Sequence, residues 1–418
     1  MVPFNCFFCN LGMKSKYVLI AFVLFCCSCQ ELIMKNRPFP AVDAGRIEIV
    51  PISEEKGEII KVTNEIGENI PASKLIEDFF YVPLESIEES LFAYCNQIEV
   101  FEDKIFVFDR TGTEKLFIFR KNGKFLKSIG EKGGAPFEFF KPRSFAIDRE
   151  KKQIVIYDNQ KRKWMHFSLD GNYIDSDDVP FRTICNFQIS STGYYITATS
   201  KGDWNNHLGP IADYKLLYTD SLGNLQKAAC YYQESEHNQL VYDPVRRLEN
   251  DILYVPMYLN EVYTVTDTTL SLRYKFDYSE FTPFEKEKIA TFENYDELRD
   301  YRSSHTYLST FAENSTHLFF LTSDNGNERL VSIYDKRSKK LLQVSGIQCD
   351  TDFIFDFIAG IHAYEDYFIA MILPQSLRML KSQLEKNHYP VKEENMRLFE
   401  NVKEDDNLVL VFFKIKDL

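Results

Sequence analysis

The sequence lacks the short motifs that mark the common enzyme classes. It contains no Gly-x-Ser-x-Gly, no His-Glu-x-x-His, no P-loop and no Gly-x-Gly-x-x-Gly. These absences give no support to a serine hydrolase, a zinc protease or a nucleotide-binding enzyme. They leave open a site that forms only when distant residues meet in the fold, so the identity of any catalytic residue is unknown at this stage.

Positive charge is also scarce. The chain has 49 Lys and Arg against 62 Asp and Glu, a net charge of −13. Removal of residues 1–28, which contain Lys14 and Lys16, would leave 47 − 62 = −15. This balance argues against nucleic acid as a partner and against binding to anionic lipid through a basic patch.

No apolar run is long enough to cross a bilayer comfortably. The longest N-terminal run, residues 17–25, follows Lys14 and Lys16 and ends at Cys26-Cys-Ser-Cys29. A basic start, a short apolar core and a small residue before the cleavage point are typical of a secretory signal. The end resembles a bacterial lipobox with Cys29 as the lipidated residue, although Cys26 stands where Leu is usual. Ordinary cleavage or an uncleaved anchor are the alternatives, and Met13 is an alternative start.

Beyond Cys29 the chain has four scattered cysteines, with no Cys-x-x-Cys and no metal-like spacing: Cys95, Cys185, Cys230 and Cys349. A disulfide in an oxidising compartment and buried thiols in strands are both compatible with this pattern.

What the chain does contain is a repeat. Ile105-Phe-Val-Phe-Asp109 leads to Lys-Asn-Gly123, and Ile154-Val-Ile-Tyr-Asp158 leads to Leu-Asp-Gly171. The same pattern recurs after 48 or 49 residues, a period typical of propeller blades or of a solenoid. Short strand-like runs separated by Gly, Asn and Asp turns predict antiparallel hairpins.

We therefore predict an all-β fold, a six-bladed β-propeller of four-stranded antiparallel blades. The blades are expected at about residues 92–130, 143–176, 184–232, 246–278, 307–346 and from 355 to the end. Two helical insertions are expected at 283–302 and 375–403, the second from Leu377, Leu380 and Leu384 at helical spacing. They would be lids over one face or simple surface decoration.

The apolar C-terminal strand, residues 408–415, would be an aggregation-prone edge if it were left unpaired. A propeller avoids such an edge by ring closure, and Tyr81-Val-Pro-Leu84 is the expected partner. The predicted organisation is a signal segment (1–29), a tether with a short β segment (30–75) and the propeller (76–418).

Three segments resemble a family of six-bladed β-propeller lipoproteins of Gram-negative envelopes related to NHL repeats. They are Tyr81-Val-Pro-Leu-Glu85, Gly130-Glu-Lys-Gly-Gly-Ala-Pro-Phe-Glu138 and the ending from Asn407 to Lys416. Ala135 and Phe137 depart from the glycines of the family's linker between blades. The resemblance implies the fold and a lipid-anchored location in the cell envelope, on the outer membrane facing either the periplasm or the surface. It implies no settled activity.

The candidate binding residues precede the inner strands of the predicted blades. Arg143, Arg182 and Arg246 each follow a proline by one or two residues, and loops at these positions open on one face around the channel. A planar guanidinium suits carboxylate, sulfate or phosphate. His305 and His362 lie just before or within inner strands and could face the axis. Loop arginines of no function and packing histidines are the plainer alternatives.

Asp109, Asp158 and Asp335 each end a strand in the same register, which favours a structural role in capping backbone N–H groups. No metal site and no cofactor is predicted.

The function that fits best is a binding or interaction module for a small anionic or glycan ligand, or for an envelope protein partner. A metal-dependent lactonase-like hydrolase or lyase is one alternative. A structural subunit of an outer-membrane uptake assembly is the other. Whether the chain is an enzyme stays uncertain, with a binding role favoured.

Overall fold

The fold is a six-bladed β-propeller, as predicted. The computed structural model describes residues 38–200, 203–232, 243–256, 260–292, 294–325, 327–354 and 361–418. Every blade has at least four strands, and consecutive blades lie side by side around a central channel. The innermost strand of each blade comes first in the chain in all six. The predicted start of the sixth blade at Phe355 lies outside the described residues.

The strands of blades 1–3, from the channel outward, are as follows. Blade 1 is Gln97–Phe101, Lys104–Asp109, Lys115–Arg120 and Phe125–Ile129. Blade 2 is Pro142–Asp148, Gln153–Asp158, Lys163–Ser168 and Tyr173–Asp178. Blade 3 is Phe187–Ile189, Tyr195–Ala198, Tyr214–Thr219 and Leu225–Tyr231.

The strands of blades 4–6 follow in the same order. Blade 4 is Val245–Leu248, Asp251–Tyr254, Glu261–Val265 and Leu270–Asp277. Blade 5 is Tyr307–Glu313, His317–Asp324, Asn327–Asp335 and Leu341–Val344. Blade 6 is Ile361–Tyr364, Tyr367–Ile372, Val409–Ile415 and Ile76–Pro83.

The ring closes through blade 6, whose outermost strand comes from the N-terminal part of the chain. Ile76–Pro83 pairs antiparallel with Val409–Ile415, with Tyr81 opposite Val411 and Pro83 opposite Val409. The predicted closure is thus confirmed. Pro83 is the last residue of this outermost strand, a position at which proline is tolerated.

The segment before this closing strand runs along the outside of the ring. Glu48–Val50 adds a parallel fifth strand to blade 3, and Glu58–Lys61 does the same for blade 4. Ile70–Pro71 then pairs with Ile347–Gln348 after blade 5. These short parallel strands cover outer blade edges that would otherwise be open to pairing.

The hydrophobic core is divided among the six interfaces between neighbouring blades. In the strand Lys104–Asp109, Ile105 and Val107 pack toward blade 6, while Phe106 and Phe108 pack toward blade 2. Each blade is buried on both faces, so its middle strands are apolar at every position rather than at alternate ones. Aromatic and β-branched residues fill such strands because they pack well on a pleated surface. Cys95 and Cys185 lie in the loops before the inner strands of blades 1 and 3, and burial raises the pKa of both thiols to about 12.

The repeated glycines mark one turn type. Gly123 and Gly171 have φ of +83° and +77°, and their N–H groups donate to the carbonyls of Arg120 and Ser168. Each turn is accompanied by a register shift in the ladder, as in a three-residue hairpin with a glycine bulge. The left-handed conformation explains why glycine recurs at the repeat spacing.

Helices occur in both stretches where insertions were predicted. A 3-10 turn at Lys286–Thr291 and a helix at Tyr295–Ser303 precede blade 5, and helices at Pro374–Asn387 and Glu393–Asn401 lie within blade 6. Leu377, Leu380 and Leu384 are buried in the core between blades 5 and 6. This second insertion is therefore packed as part of the body. Short helices at Ala72–Leu75, Ala44–Arg46, Glu88–Ser90 and Asp203–Asp213 complete the described elements.

Candidate functional site

The central channel holds a cavity of about 650 Å³ to which all six blades contribute. This volume lies within the range of small-molecule sites. Its wall is formed by the inner strands and by the turns that follow them. The polar side chains on the wall include Gln97, Glu99, Arg149, Asn186, Gln188, Arg246, Arg247 and His362.

Two amide side chains fix the inner strands relative to each other. Gln97 of blade 1 accepts from the N–H of Phe145 at 3.2 Å and donates to its carbonyl at 2.6 Å. Asn186, before blade 3, makes the same pair of bonds with Val245 of blade 4, at 3.1 and 2.6 Å. Both amides are buried and satisfied. They hold the wall rigid, so the side chains beside them keep fixed positions.

Glu99 lies two residues further along the inner strand of blade 1 and points into the same channel. Gln188 of blade 3 donates to Glu99 Oε1 at 2.9 Å. Burial raises the pKa of the Glu99 carboxyl. The hydrogen bond from Gln188, the charges of Arg247 and Arg149 and the backbone N–H of Ile147 oppose that rise. The group of Glu99, Arg149, Gln188 and Arg247 is called the polar cluster below.

Each member of the polar cluster has a buried polar atom without a hydrogen-bond partner in the described protein: Glu99 Oε2, Arg149 Nε, Gln188 Oε1 and Arg247 Nε. The Arg149 guanidinium lies 5.3 Å from the centre of the Phe101 ring. Arg247 donates to the carbonyls of Ile189 and, at 3.4 Å, of Glu249. Buried polar groups without partners are uncommon in folded proteins, and they concentrate where a site is used.

Arg246 and His362 lie on the part of the wall formed by blades 4 and 6. Arg246 donates to the Phe311 carbonyl of blade 5. Burial lowers the pKa of the Arg246 guanidinium. It also lowers the pKa of His362 to about 4, with the Arg246 charge acting in the same direction. His362 is therefore neutral at physiological pH, and it can accept or donate a hydrogen bond in the channel.

An ion pair crosses the ring at the end of the channel where the inner strands begin. Arg110 follows the second strand of blade 1, and Asp243 precedes the inner strand of blade 4, on the opposite side. Their two hydrogen bonds measure 3.2 and 3.3 Å. The polar cluster lies toward the other mouth, because Arg149 follows the end of its inner strand and Arg247 donates to the carbonyl of Glu249, which follows the end of its own.

The sequence-predicted arginines do not share one place. Arg246 lines the cavity. Arg143 and Arg246 are each the second residue of an inner strand rather than part of the preceding loop, since pairing with the neighbouring strand begins at Pro142 and Val245. Arg182 lies in the loop before blade 3, where its backbone exchanges two hydrogen bonds of 2.8 Å with Asn205.

The remaining predicted residues lie elsewhere or outside the described chain. His305 follows the helix Tyr295–Ser303 and stacks on Tyr301 at 3.7 Å between ring centres. His362 lines the channel, one of the two placements left open by the sequence. Cys29 lies outside the described residues.

The N-terminal segment reaches the surface beside Arg182. Phe39 stacks on His207 at 3.6 Å between ring centres and lies 4.2 Å from the Arg162 guanidinium. The Arg182 guanidinium is 5.9 Å from the same ring, and Arg162 also donates to the Pro38 carbonyl at 3.2 Å. The chain thus enters the fold at the face where the inner strands begin.

The strand-ending aspartates cap backbone N–H groups, as predicted, but Asp335 ends the third strand of its blade, whereas Asp109 and Asp158 end the second. Asp109 accepts from the N–H groups of Gly112, Thr113 and Ala93. Asp158 accepts from four such groups, and Asp335 from three. Each carboxylate ties its own turn to a loop or terminus that lies beside it in space.

Among the residues that the structure describes, one group of three has geometry near that of a metal site. It consists of His166, Asp175 and Asp177, whose ligand atoms lie within 4.8 Å of one another. These residues belong to the two outer strands of blade 2, away from the channel. His166 Nδ1 lies 2.6 Å from Asp175 Oδ1, and its Nε2 lies 3.4 Å from the Tyr195 hydroxyl, so the imidazole already has protein partners on both sides.

The residues that sequence reasoning missed are Glu99, Arg149, Gln188 and Arg247. The available signal was a polar residue flanked by apolar neighbours in an inner strand, as in Ile98-Glu99-Val100 and Phe187-Gln188-Ile189. In strands buried on both faces, a polar residue at such a position points to the channel.

Within the described residues, no helix has the length and apolar character needed to cross a membrane.

One solved structure shares the fold over most of the chain. A candidate exported protein of Bacteroides fragilis NCTC 9343 has a solved structure that superposes with a TM-score of 0.69 at 18% identity, covering 87% of this chain and all of that one. Two further structures are more distant, with TM-scores of 0.42 and 0.40. U3-55K is 11% identical and covers 82% of this chain and 100% of its own. A Bacteroides thetaiotaomicron protein of unknown function is 7% identical and covers 83% and 74%.

A search among curated proteins finds no match. Residues 57–414 match the family described as "Domain of unknown function (DUF4934)". The match covers most of the chain, and the chain belongs to this family.

Proposed function

We propose that this member of the DUF4934 family is an exported binding module that takes a small polar or anionic ligand in its central channel. One observation carries the proposal. The cavity of about 650 Å³ is walled by all six blades and contains three arginines, Arg149, Arg246 and Arg247. Buried guanidinium groups are costly unless an anion pairs with them.

The rigidity of the wall supports recognition. The amide clamps of Gln97 and Asn186 fix neighbouring strands through bonds of 2.6–3.2 Å. Side chains held on such strands lose little conformational freedom when a ligand binds, which favours affinity.

The proposal includes the location inferred from the sequence. The module would be held in the envelope by a lipid on Cys29, with residues 1–28 removed and the segment after Cys29 acting as the tether that the sequence predicts. Such a tether would join the fold at Pro38, on the face where the inner strands begin. The mouth beside the polar cluster would then face away from the membrane. The likeness to a candidate exported protein is compatible with this placement.

Thermal unfolding of the purified full-length protein in detergent tests the function. The panel contains neutral sugars, acidic sugars, carboxylates, phosphates and divalent ions, with one arm that adds a chelator. A ligand at about 100 times its Kd should stabilise the fold by roughly 2.7 kcal/mol. We expect stabilisation by an anionic ligand that disappears in Arg149→Gln and persists in Arg378→Gln, a control on the exposed surface of the helix Pro374–Asn387.

The other outcomes are equally informative. Stabilisation by a metal ion, or loss of stability with chelator alone, would favour the hydrolase or lyase. Silence across the whole panel would refute the channel as a small-ligand site and would favour a protein partner.

A further inference from the structure

The polar cluster offers cations in excess of anions. Of the acidic side chains on the cavity wall, Asp243, Glu313 and Glu102 are already paired with cations, namely Arg110, Arg273 and Lys152. Glu249 and Glu365 are exposed at the mouth. Glu99 is the remaining carboxylate on the wall against the three channel arginines, and the charge of the buried Asp148 also acts on Arg247. Three guanidinium groups against two carboxylates leave one excess positive charge, which a ligand with one anionic group would balance.

The same cluster also offers acceptors that need donors. Glu99 Oε2 and Gln188 Oε1 are buried and accept no hydrogen bond from the described protein. Arg149 Nε and Arg247 Nε are buried donors with no acceptor. A simple anion without hydroxyl groups, such as a plain carboxylate, would satisfy the donors and would leave the acceptors without a donor. A neutral sugar would satisfy the acceptors and would leave the guanidinium excess unpaired.

Two aromatic residues, Phe101 and Tyr364, also line the cavity. One face of the Phe101 ring lies against the Arg149 guanidinium, and one face of the Tyr364 ring lies 4.5 Å from Lys121 Nζ, so a ligand would contact the remaining face of each ring. Aromatic faces suit the C–H faces of a sugar ring, because these faces are apolar while the ring edge carries the hydroxyls.

From these complementary groups we infer that the channel ligand is a sugar acid, a ring that bears one carboxylate and several hydroxyls. The carboxylate binds Arg149 and Arg247, and the hydroxyls donate to Glu99 and Gln188. The inference rests on the proposed function, since it names the ligand class of the same channel. Entry is from the mouth at the ends of the inner strands, because the Arg110–Asp243 ion pair crosses the other one.

Three probes with six-membered rings test the donors and the acceptors of the polar cluster separately. D-Glucuronate carries both the carboxylate and the hydroxyls, D-glucose lacks the carboxylate, and cyclohexanecarboxylate lacks the hydroxyls. D-Galacturonate serves as the stereochemical variant. Calorimetric titration of the full-length protein should give a Kd for one of the two uronates at least tenfold lower than for either partial probe.

Two variants assign the contacts. Arg149→Gln should weaken uronate binding about tenfold or more, and it should leave glucose binding unchanged. Glu99→Gln should reduce the advantage of the uronate over cyclohexanecarboxylate, because it removes the charged acceptor for the hydroxyls. Arg378→Gln should bind as the unmodified protein does.

The outcomes separate the ligand class from the proposed function. If glucose or cyclohexanecarboxylate binds as tightly as both uronates, the sugar-acid assignment is wrong and the channel remains a ligand site. The assignment is equally wrong if the uronates do not bind while another ligand of the wider panel does. If nothing in the panel binds, both the ligand class and the proposed function fail.

Discussion

Asp158 provides the sharpest test of how the repeat holds the blades together. Its side chain is fully buried at the end of the second strand of blade 2. Oδ2 accepts from the N–H groups of Phe140 and Lys141 at 2.6 and 3.1 Å, and Oδ1 accepts from Gln160 and Lys161 at 2.9 Å each. One carboxylate therefore joins the linker from blade 1 to the turn inside blade 2.

The expected loss of stability follows from the N–H groups that the substitution would leave without an acceptor. In Asp158→Ala, the N–H groups of Phe140 and Lys161, both in buried residues, lose their acceptor. A buried amide left unsatisfied costs about 1–3 kcal/mol, so the two together cost about 2–6 kcal/mol. Part of this loss is offset, because burial raises the pKa of Asp158 and so makes the charged form costly to hold. A loss of about 2–4 kcal/mol is expected, a large fraction of a typical folding free energy.

Asp220 gives a matched control within the same chain. It accepts from the N–H groups of Leu222 and Asn224 at 2.9 Å each, but at a solvent-exposed turn of blade 3. Water can replace the carboxylate there, so Asp220→Ala should cost less than about 1 kcal/mol.

Urea unfolding followed by tryptophan fluorescence measures both variants. Trp164 is buried between blades 2 and 3 and reports on the region beside Asp158. With equal slopes, the difference in midpoint gives the change in the free energy of unfolding. Equal losses for Asp158→Ala and Asp220→Ala, or a loss below about 1 kcal/mol for Asp158→Ala, would refute the view that the buried carboxylate ties the linker to the blade.

Two further predictions concern packing and anchoring. Leu380→Ala should lower the free energy of unfolding by about 2–5 kcal/mol, because Leu380 is 1% exposed in the core between blades 5 and 6. Its neighbour Met379 is 66% exposed, so Met379→Ala should change the free energy of unfolding by less than about 0.5 kcal/mol. The midpoints of urea unfolding measure both changes, and similar shifts for the two variants would mean that the helix is not packed as described. Cys29→Ala should move the protein from the membrane fraction to the soluble fraction of cells. Mass spectrometry of the protein without the substitution should find a lipid on Cys29. If that protein is soluble and carries no lipid, the proposed anchor is wrong.

The fold could be predicted from the sequence because each blade has the same local residue pattern, which recurs along the chain. Fully apolar strands, a glycine with positive φ after the third strand and an aspartate at the end of the second recur at one spacing, so Asp109 and Asp158 identify two blades by themselves. The closing partner of residues 408–415 could be found because an apolar terminal strand must be paired.

The peripheral strands were less visible for an equally physical reason. Glu48–Val50 and Glu58–Lys61 are only three and four residues long and mostly exposed, so their composition carries no strand period. They form because the outer edges of blades 3 and 4 provide unpaired backbone groups. That information lies in the strands Leu225–Tyr231 and Leu270–Asp277, far along the chain.

The polar cluster could not be predicted from the sequence for a related reason. Glu99 and Gln188 meet across two blade interfaces although 89 residues separate them, and Arg247 lies in a third blade. The pattern of an arginine shortly after a proline led to Arg143 and Arg246 at the starts of inner strands, of which Arg246 lines the cavity, and to Arg182 in the loop before blade 3. The polar cluster sits instead further along the strands and on the turns after them.

Some side chains at the inner strands break the rule that buried polar atoms are hydrogen-bonded. An inner strand can carry polar side chains without leaving their polar atoms unpaired. Gln97 and Asn186 are examples, because their amides form hydrogen bonds with the backbone of the neighbouring blade. The polar cluster does not follow that pattern, because each of its members leaves a buried polar atom unpaired within the described protein. Such an arrangement destabilises a fold unless something else supplies the missing partners. The amide clamps around the cluster are paired. Other buried polar atoms of the described residues also lack a partner, such as Thr197 Oγ1 and Ser332 Oγ, but they are scattered through the blades. The cavity wall gathers four such residues in one place, as expected if that wall has been shaped by what it binds rather than by folding.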